Sequence, residues 1–426
     1  MRLARRRHPI GLNDLAAVAP ATHIAQPPIV DANVITLLTA FILFVLATAG
    51  VKGFAFTLGV GTLVSFFTAV LLTQAVLGVM GRSRLIHSPA ALGVGKHRER
   101  RRFDYMGASK WLFSMSGVIL LIGALAIGGK GLNFGIDFES GTRIRAELTR
   151  SADENAVRDA IAPNGFGDAE IQRLSGSGAG KNSFQISTST LSERQRNQIR
   201  SDLQQKFGVK SYDFAFIGPT FGQTVAKSAV IAIIASLLVI SLYIALRFEW
   251  KYAVPVLIAL MHDLLITAGV YSLLGREVTT STVAALLTIL GYSLYDTIIV
   301  FDRVRENVPR MPRAAFTQIV NRSMSEVLTR SLATSFCTAL PILALLLFGG
   351  DTLKDFAFAL LVGVISGTYS SVFIAGPVLT HWKEREPVYQ ARETRIRAEF
   401  GAVPAYAGVA ASEPRKPRNR RHRRPR

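Results

Sequence analysis

Residues 291–301 read Gly-Tyr-Ser-Leu-Tyr-Asp-Thr-Ile-Ile-Val-Phe, an apolar run that holds one carboxylate, Asp296, and the charged cluster Asp302-Arg303-Val304-Arg305-Glu306-Asn307 follows at once. A carboxylate within a spanning helix costs roughly 2.5 to 3.5 kcal/mol on insertion scales, so it must face a bundle interior or a water-filled path. That marks Asp296 for proton or ion handling. Two further ionisable groups lie in apolar runs: Asp263 in Met261-His262-Asp263-Leu264-Leu265, and Arg330 at the start of the next run. Asp296 sits about eight residues, or roughly 12 Å, from the charged end of its helix, a depth that Arg330 can share on an antiparallel neighbour. A direct Asp296–Arg330 pair would stabilise both charges against hydrocarbon.

Two readings of that pair stand side by side. In one it is a static ion pair that fixes helix register. In the other, protonation of Asp296 releases Arg330 and lets the helices rearrange, a step that can draw on a membrane potential worth about 2.3 kcal/mol per unit charge per 100 mV. For Asp263 a capping or interhelical hydrogen bond weighs as much as a relay role. His262 reads as a packing residue, and no metal site is expected. Small residues surround these charges (Gly291, Ser293, Ser331, Ala333, Thr334, Gly363, Gly367) and permit close helix approach, for which packing is the simplest explanation.

These groups must be positioned by membrane-spanning helices. The 426 residues are 49% hydrophobic and 18% charged, and the mean hydropathy is +0.31, which is too apolar for an ordinary soluble domain. Candidate spans fall at 34–50, 54–79, 111–129, 224–246, 252–274, 279–301, 329–348 and 355–381, about eight in all. The net charge of +20 concentrates between Arg82 and Arg102 and after Trp382, beside apolar runs. The positive-inside rule accounts for it and puts both termini in the cytoplasm. No aromatic-basic motif accompanies the charge, so membrane lipid and not nucleic acid is the expected basic-surface partner. Ala314 to Val327 reads as an amphipathic interfacial helix. Cys337, in an apolar run, reads as an inert small hydrophobe. Residues 1–28 lack the apolar core of a signal peptide.

The segment 131–222 differs in pattern. It reads as strand 142–149, helix 152–162 opened by a Ser151/Glu154 capping box, strands 169–174 and 183–187, helix 191–207 and strand 209–216. The order βαββαβ predicts one small α+β ferredoxin-like domain. Ser175 to Asn182 would form its central loop; it lacks Walker spacing and is no phosphate loop. At the entry to this domain, Gly131-Leu-Asn-Phe-Gly-Ile-Asp-Phe-Glu-Ser-Gly-Thr142 carries Gly131, Gly135 and Gly141 beside Asp137 and Thr142, a pattern that suits either a hinge or a tight packed turn. An internal repeat pairs Gly53 to Gly61 with Asp355 to Gly363 in the same orientation, as two copies of one helix hairpin.

Together, the 131–142 segment, Arg247-Phe-Glu-Trp250, His262-Asp263, Gly291 to Asn307 (with Asp302, Arg303, Arg305, Glu306 and Asn307) and Thr329-Arg-Ser-Leu-Ala-Thr334 resemble the SecD/SecF family of protein-export membrane proteins, of the RND superfamily. Residues 108–383 resemble the family's SecF half in order and spacing, and 29–80 the last two spans of its SecD half. The resemblance implies a polytopic, RND-type, non-enzymatic subunit of a bacterial cytoplasmic membrane. It would act with SecD, the SecYEG channel and the SecA motor on preproteins, with the proton gradient as energy source and no cofactor. By motif position Asp296 and Arg330 match the family's embedded charges, and the soluble segment matches its small extracytoplasmic domain. Ser140 stands where the family usually has the first glycine of Gly-Gly-Thr, and Tyr295 where it commonly has Asn or Asp. Asp31 superficially resembles SecD's embedded carboxylate, but the residues after it place it in the fifth span, which leaves Asp296 as one half of a two-part relay.

The expected layout is therefore a non-homologous N-terminus (1–28), two SecD-like helices (29–80), a basic linker (81–110), a first SecF-like helix (111–130), the soluble domain (131–222), a five-helix bundle (223–382) and a disordered basic tail (383–426) at lipid or ribosome. Because the resemblance begins abruptly at Ile29, the chain is expected to derive from a fused SecD–SecF whose frame was shifted or mis-started. Two other functions compete. An RND exporter of lipid or drugs would carry larger soluble domains in two copies, and a passive scaffold would tolerate Asp296→Asn.

Overall fold

The computed structural model describes residues 30, 33–45, 49–72, 75, 103–174, 182–349 and 351–407. Among them, six helices are long and apolar enough to cross a membrane: α3 (Ser109–Lys130), α7 (Pro219–Arg247), α8 (Trp250–Leu274), α9 (Thr280–Arg310), α10 (Phe316–Phe348) and the run Leu353–Lys383. That run comprises α11 (Asp351–Ser370), a π-helical turn (Ser371–Ala375) and α12 (Gly376–Lys383). Two shorter apolar helices precede them, α1 (Asn33–Val45) and, within α2 (Ala49–Phe67), Lys52–Phe67. The eight expected spans thus appear, among the described residues, as six long helices and two short ones. This is a helical membrane protein with a small α+β domain.

Burial ranks the helices by position. In its most apolar window α9 is 78% buried and α7 only 22%, so α9 is the central element and α7 turns most of its surface outward. Small residues let α11 lie against α9: a Cβ on Gly367 would sit 2.9 Å from Ser293 Cβ, and one on Gly363 would overlap Ile289. Glycine also joins α3 to α8, where a Cβ on Gly269 would lie 2.8 Å from Gly123 Cα. In an apolar solvent, such backbone approach supplies the attraction that hydrophobicity cannot. Phe54 and Phe356, which hold equivalent positions in the internal repeat, meet edge to face at 4.9 Å.

Three expectations change at the end of the bundle remote from the soluble domain. Residues 302–310 continue α9, and Phe316 to Val327 is the first part of α10 and not a separate interfacial helix. At 1.5 Å per residue these helices of 31 and 33 residues run to roughly 46–50 Å, beyond a ~30 Å hydrocarbon layer, and nothing between Phe316 and Leu340 breaks the helix. The described part of the tail, to residue 407, also orders. Pro387 opens α13 (Pro387–Phe400) at its first turn, Tyr389 packs on Phe316 at 4.8 Å, and Arg395 donates to the Arg313 carbonyl at 2.8 Å. The basic residues serve as fold contacts, which is why composition alone suggests disorder. Residues 1–29, most of the linker and 408–426 lie outside the described residues.

The soluble domain has β2 (Gly141–Leu148), α5 (Glu154–Ile161), β3 (Glu170–Leu174), β4 (Ser183–Thr188), α6 (Glu193–Phe207) and β5 (Val209–Ile217); β1 (Asn133–Phe134) and the short α4 (Ile136–Glu139) precede it. The sheet runs β3-β4-β2-β5, all antiparallel, the ferredoxin-like order. Alternating residues Ile144 and Ile186 pair across β2 and β4 and pack with Val157, Ile161, Phe184, Ile199 and Leu203 into its core. The first domain helix is capped by Asp153, whose carboxylate accepts from the Ala156 amide, and not by Ser151. A capping box does open α6, from Ser192 and Gln195. Most of the expected Ser175–Asn182 loop lies outside the described residues.

Candidate functional site

Asp263, fully buried on α8, accepts hydrogen bonds from three serines. Ser293 of α9 donates to its Oδ2 at 2.6 Å, Ser370 of α11 to the same oxygen at 2.8 Å, and Ser366 to Oδ1 at 2.6 Å. His262 Nδ1 lies 3.1 Å from Oδ1. The ring's far nitrogen, Nε2, is 3.1 Å from Ser116 Oγ on α3, and Ser116 donates to Tyr369 OH of α11 at 3.1 Å. A polar chain therefore crosses the bundle from α9 through α8 to α3. His262 is part of this chain and not merely packed. The signal available in sequence was the His-Asp dipeptide in an apolar run; Ser366 and Ser370, one helical turn apart, carried no sign of their partner.

Asp296 on α9 is as deeply buried, at 1% exposed, but far less well served. Ser331 of α10 donates to Oδ2 at 2.7 Å, while Oδ1 has no hydrogen-bond partner among the described residues. A second layer braces Ser331's turn: Ser335 donates to the Ser331 carbonyl at 2.9 Å, and Tyr292 OH donates to Ser335 at 3.0 Å. The expected direct pair with Arg330 is not formed, and Arg330 makes no ion pair within 4.0 Å among the described residues. Successive helical residues point about 100° apart, so Ser331, 2% exposed, faces α9 while Arg330 turns outward.

The 131–142 segment is a joint between domain and bundle. Asp137 accepts at 3.2 Å from both the amide and the hydroxyl of Thr280, at the start of α9. β1 pairs in parallel with β6 (Glu277–Val278), and Arg143 reaches Glu277. Burial pushes the Glu277 carboxyl up, and the Arg143 guanidinium beside it offsets part of the rise. A Cβ at Gly135 would collide with that carboxyl, and one at Gly141 would lie 2.4 Å from the Thr188 carbonyl. Gly131 turns with φ +77° and its carbonyl accepts from Ser272 at 2.7 Å, and Thr142 Oγ1 accepts from the Leu191 amide at 3.0 Å. These contacts hold the segment against both the domain and the bundle.

At the opposite end, Arg303 binds Glu326 of α10 at 2.5 Å and also pairs with Glu306, while Asn307 donates to Ser323 at 3.0 Å and to Glu326 at 3.1 Å. Arg305 lies over the Phe248 ring, and Asp302 stands at the head of this cluster. These charges clamp α9 to α10. Cys337 is exposed on α10. No group of three or more His, Cys, Asp or Glu among the described residues is placed to hold a metal.

Residues 198–385 match the family model for the protein export membrane protein SecD/SecF, C-terminal, and residues 125–152 match the SecD/SecF GG motif. The protein translocase subunit SecF of Escherichia coli O157:H7 is 36% identical over 314 residues, covering 71% of this chain and 95% of that protein. The chain belongs to the SecD/SecF family. The protein translocase subunit SecDF of Thermus thermophilus is 35% identical over 368 residues, 85% of this chain and 49% of that one. A crystal structure of SecDF, described as a translocon-associated membrane protein, superimposes with a TM-score of 0.76 at 32% identity, covering 87% of this chain and 50% of that one. The chain thus spans about half the length of these SecDF relatives and nearly all of the SecF one. Within the SecD/SecF frame, Ser140 falls in the matched GG segment and Asp263, Asp296 and Ser331 in the matched C-terminal segment.

Proposed function

We propose that this chain is an accessory subunit of a bacterial protein translocase, acting with a SecD partner, the SecYEG channel and SecA to promote late steps of preprotein export. The near-complete match to a SecF translocase subunit carries this reading. In it, the protein sits in the cytoplasmic membrane with both termini in the cytoplasm and the α+β domain outside, works without a cofactor, performs no enzymatic step, and draws on the proton gradient.

Asp296 supplies the coupling. When ionised, Oδ2 keeps the Ser331 hydroxyl while Oδ1 is buried without a donor, and an unpaired polar atom in apolar surroundings is costly. A proton on Asp296 removes that charge, so binding and release of one proton changes how strongly α9 holds α10. Arg330, held outward on the same turn as Ser331, is the natural counter-charge if α10 rotates.

The test is preprotein export in cells carrying Asp296→Asn or Arg330→Ala at matched protein levels. Strong export defects in both are expected. Normal export in both variants would remove the coupling role and leave a scaffold.

A further inference from the structure

We propose that His262 and Asp263 form a second proton-holding site, a buried imidazolium–carboxylate pair whose proton decides to which partner Ser116 donates its hydroxyl. The proposal stands apart from the role of Asp296 and follows from counting donors. Tyr369 OH gives its one proton to the Leu112 carbonyl at 2.9 Å, so toward Ser116 it can only accept. Ser116 gives its single proton to Tyr369 at 3.1 Å, so toward His262 Nε2 it too can only accept. Nε2 therefore carries a proton. On the other side of the ring, Nδ1 faces Asp263 Oδ1 at 3.1 Å.

The carboxylate's capacity is already filled. Oδ1 accepts from Ser366, and Oδ2 accepts from Ser293 and Ser370, so with Nδ1–H it receives four donors on about four lone-pair sites. That environment suits an ionised Asp263 and puts the proton on Nδ1. With both ring nitrogens protonated, the pair is net neutral, the state a low-dielectric interior favours over a lone carboxylate. Asp296, with one donor, is built differently.

Other titratable groups near the ring are few. α11 presents Tyr369, stacked on the imidazole at 6.1 Å between centroids. α3 presents only the Ser116 hydroxyl, and α9 presents Ser293 to the pair, with Asp296 one turn further on. His381, beyond the π-helical turn, lies against Phe113 instead. Neither α7 nor α10 donates a charged side chain to the pair among the described residues.

Loss of the proton to water leaves neutral His262 with Nδ1–H still on Asp263 and a lone pair on Nε2. Ser116 then turns its hydroxyl to Nε2 and withdraws it from Tyr369, which keeps its own bond to Leu112. One proton leaves, the hydrogen bond between α3 and α8 reverses its direction, and the Ser116 bond from α3 to α11 is lost. Because α3 runs directly into the joint at Gly131, the exchange alters how the helix that leads into the soluble domain is held.

The test uses the full-length protein, 15N-labelled at its 7 histidines, in lipid nanodiscs at pH 7.5, with the His262 ring assigned by its loss in His262→Gln. A doubly protonated ring is expected in the wild type, and in Tyr369→Phe its population falls about tenfold, because Ser116 is then free to donate to Nε2. A neutral His262 ring in the wild type overturns the proposal, as does a doubly protonated population unchanged in Tyr369→Phe. If His262→Gln does not fold, Ser116→Ala assigns the ring by moving its Nε2 signal alone.

Discussion

Arg143, on the first strand of the soluble sheet, places its Nη2 2.7 Å from Glu277 Oε1 in the turn between α8 and α9. With Gln185 donating to the second carboxylate oxygen at 3.2 Å and β1 paired to β6, this contact ties the domain to the bundle. Glu277→Gln removes the charge that Arg143 binds while keeping the volume. Losing a hydrogen bond to a charged group costs about 2 kcal/mol. Amide exchange at 133–134 and 277–278 is expected to quicken while the four-stranded sheet stays protected. Equal protection at the joint in both proteins would show that Arg143 does not hold it.

Ser140 has φ +67° and ψ 158°, and it is the one non-glycine residue with positive φ among the described residues. That region is essentially reserved for glycine, and a side chain held there costs about 1–3 kcal/mol. Ser140→Gly is expected to stabilise the folded state by about 1 kcal/mol after the flexibility that glycine adds to the unfolded chain is subtracted, which a raised thermal midpoint would report. Ser140→Ala keeps the Cβ and should bring no such gain. A Gly variant no more stable than the Ala variant would refute strain at this position.

Glu384 follows the last long helix and accepts a hydrogen bond from Thr317 of α10. Burial, with Glu393 nearby, pushes its carboxyl from 4.5 up to about 7. The folded state thus binds this proton more tightly than the unfolded chain does, so its contribution is complete below about 4.5 and is lost as pH rises through about 7. Docking of α13 should weaken between pH 5 and 8, seen as faster proteolysis after Glu386. Glu384→Gln should flatten that dependence. A variant with the wild-type pH profile would assign the effect elsewhere.

Much of the site was legible because its signals are local. Asp263 and Asp296 stand out in apolar runs whatever the fold, and strand alternation with turn glycines marks the βαββαβ order. Arg330 misled because its attraction to Asp296 is a property of charge, whereas contact depends on helix phase. Ser331, one position on, takes the place facing α9. The charged ends of α9 and α10 and the basic tail misled for a related reason. Polar composition reads as loop or disorder until partners such as Arg303 with Glu326, or Tyr389 with Phe316, are known.

The sequence by itself determined the membrane class, the one soluble domain, the family resemblance and the embedded carboxylates, since hydropathy, period and motif are properties of neighbouring residues. Only the tertiary structure decided what each carboxylate meets. The three serines around Asp263 come from 30, 103 and 107 residues away, and the bare oxygen of Asp296 is defined by donors that fail to reach it. Hydrogen-bond geometry over a few ångströms depends on how helices cross, and close approach at glycines such as Gly367 and Gly269 sets that crossing.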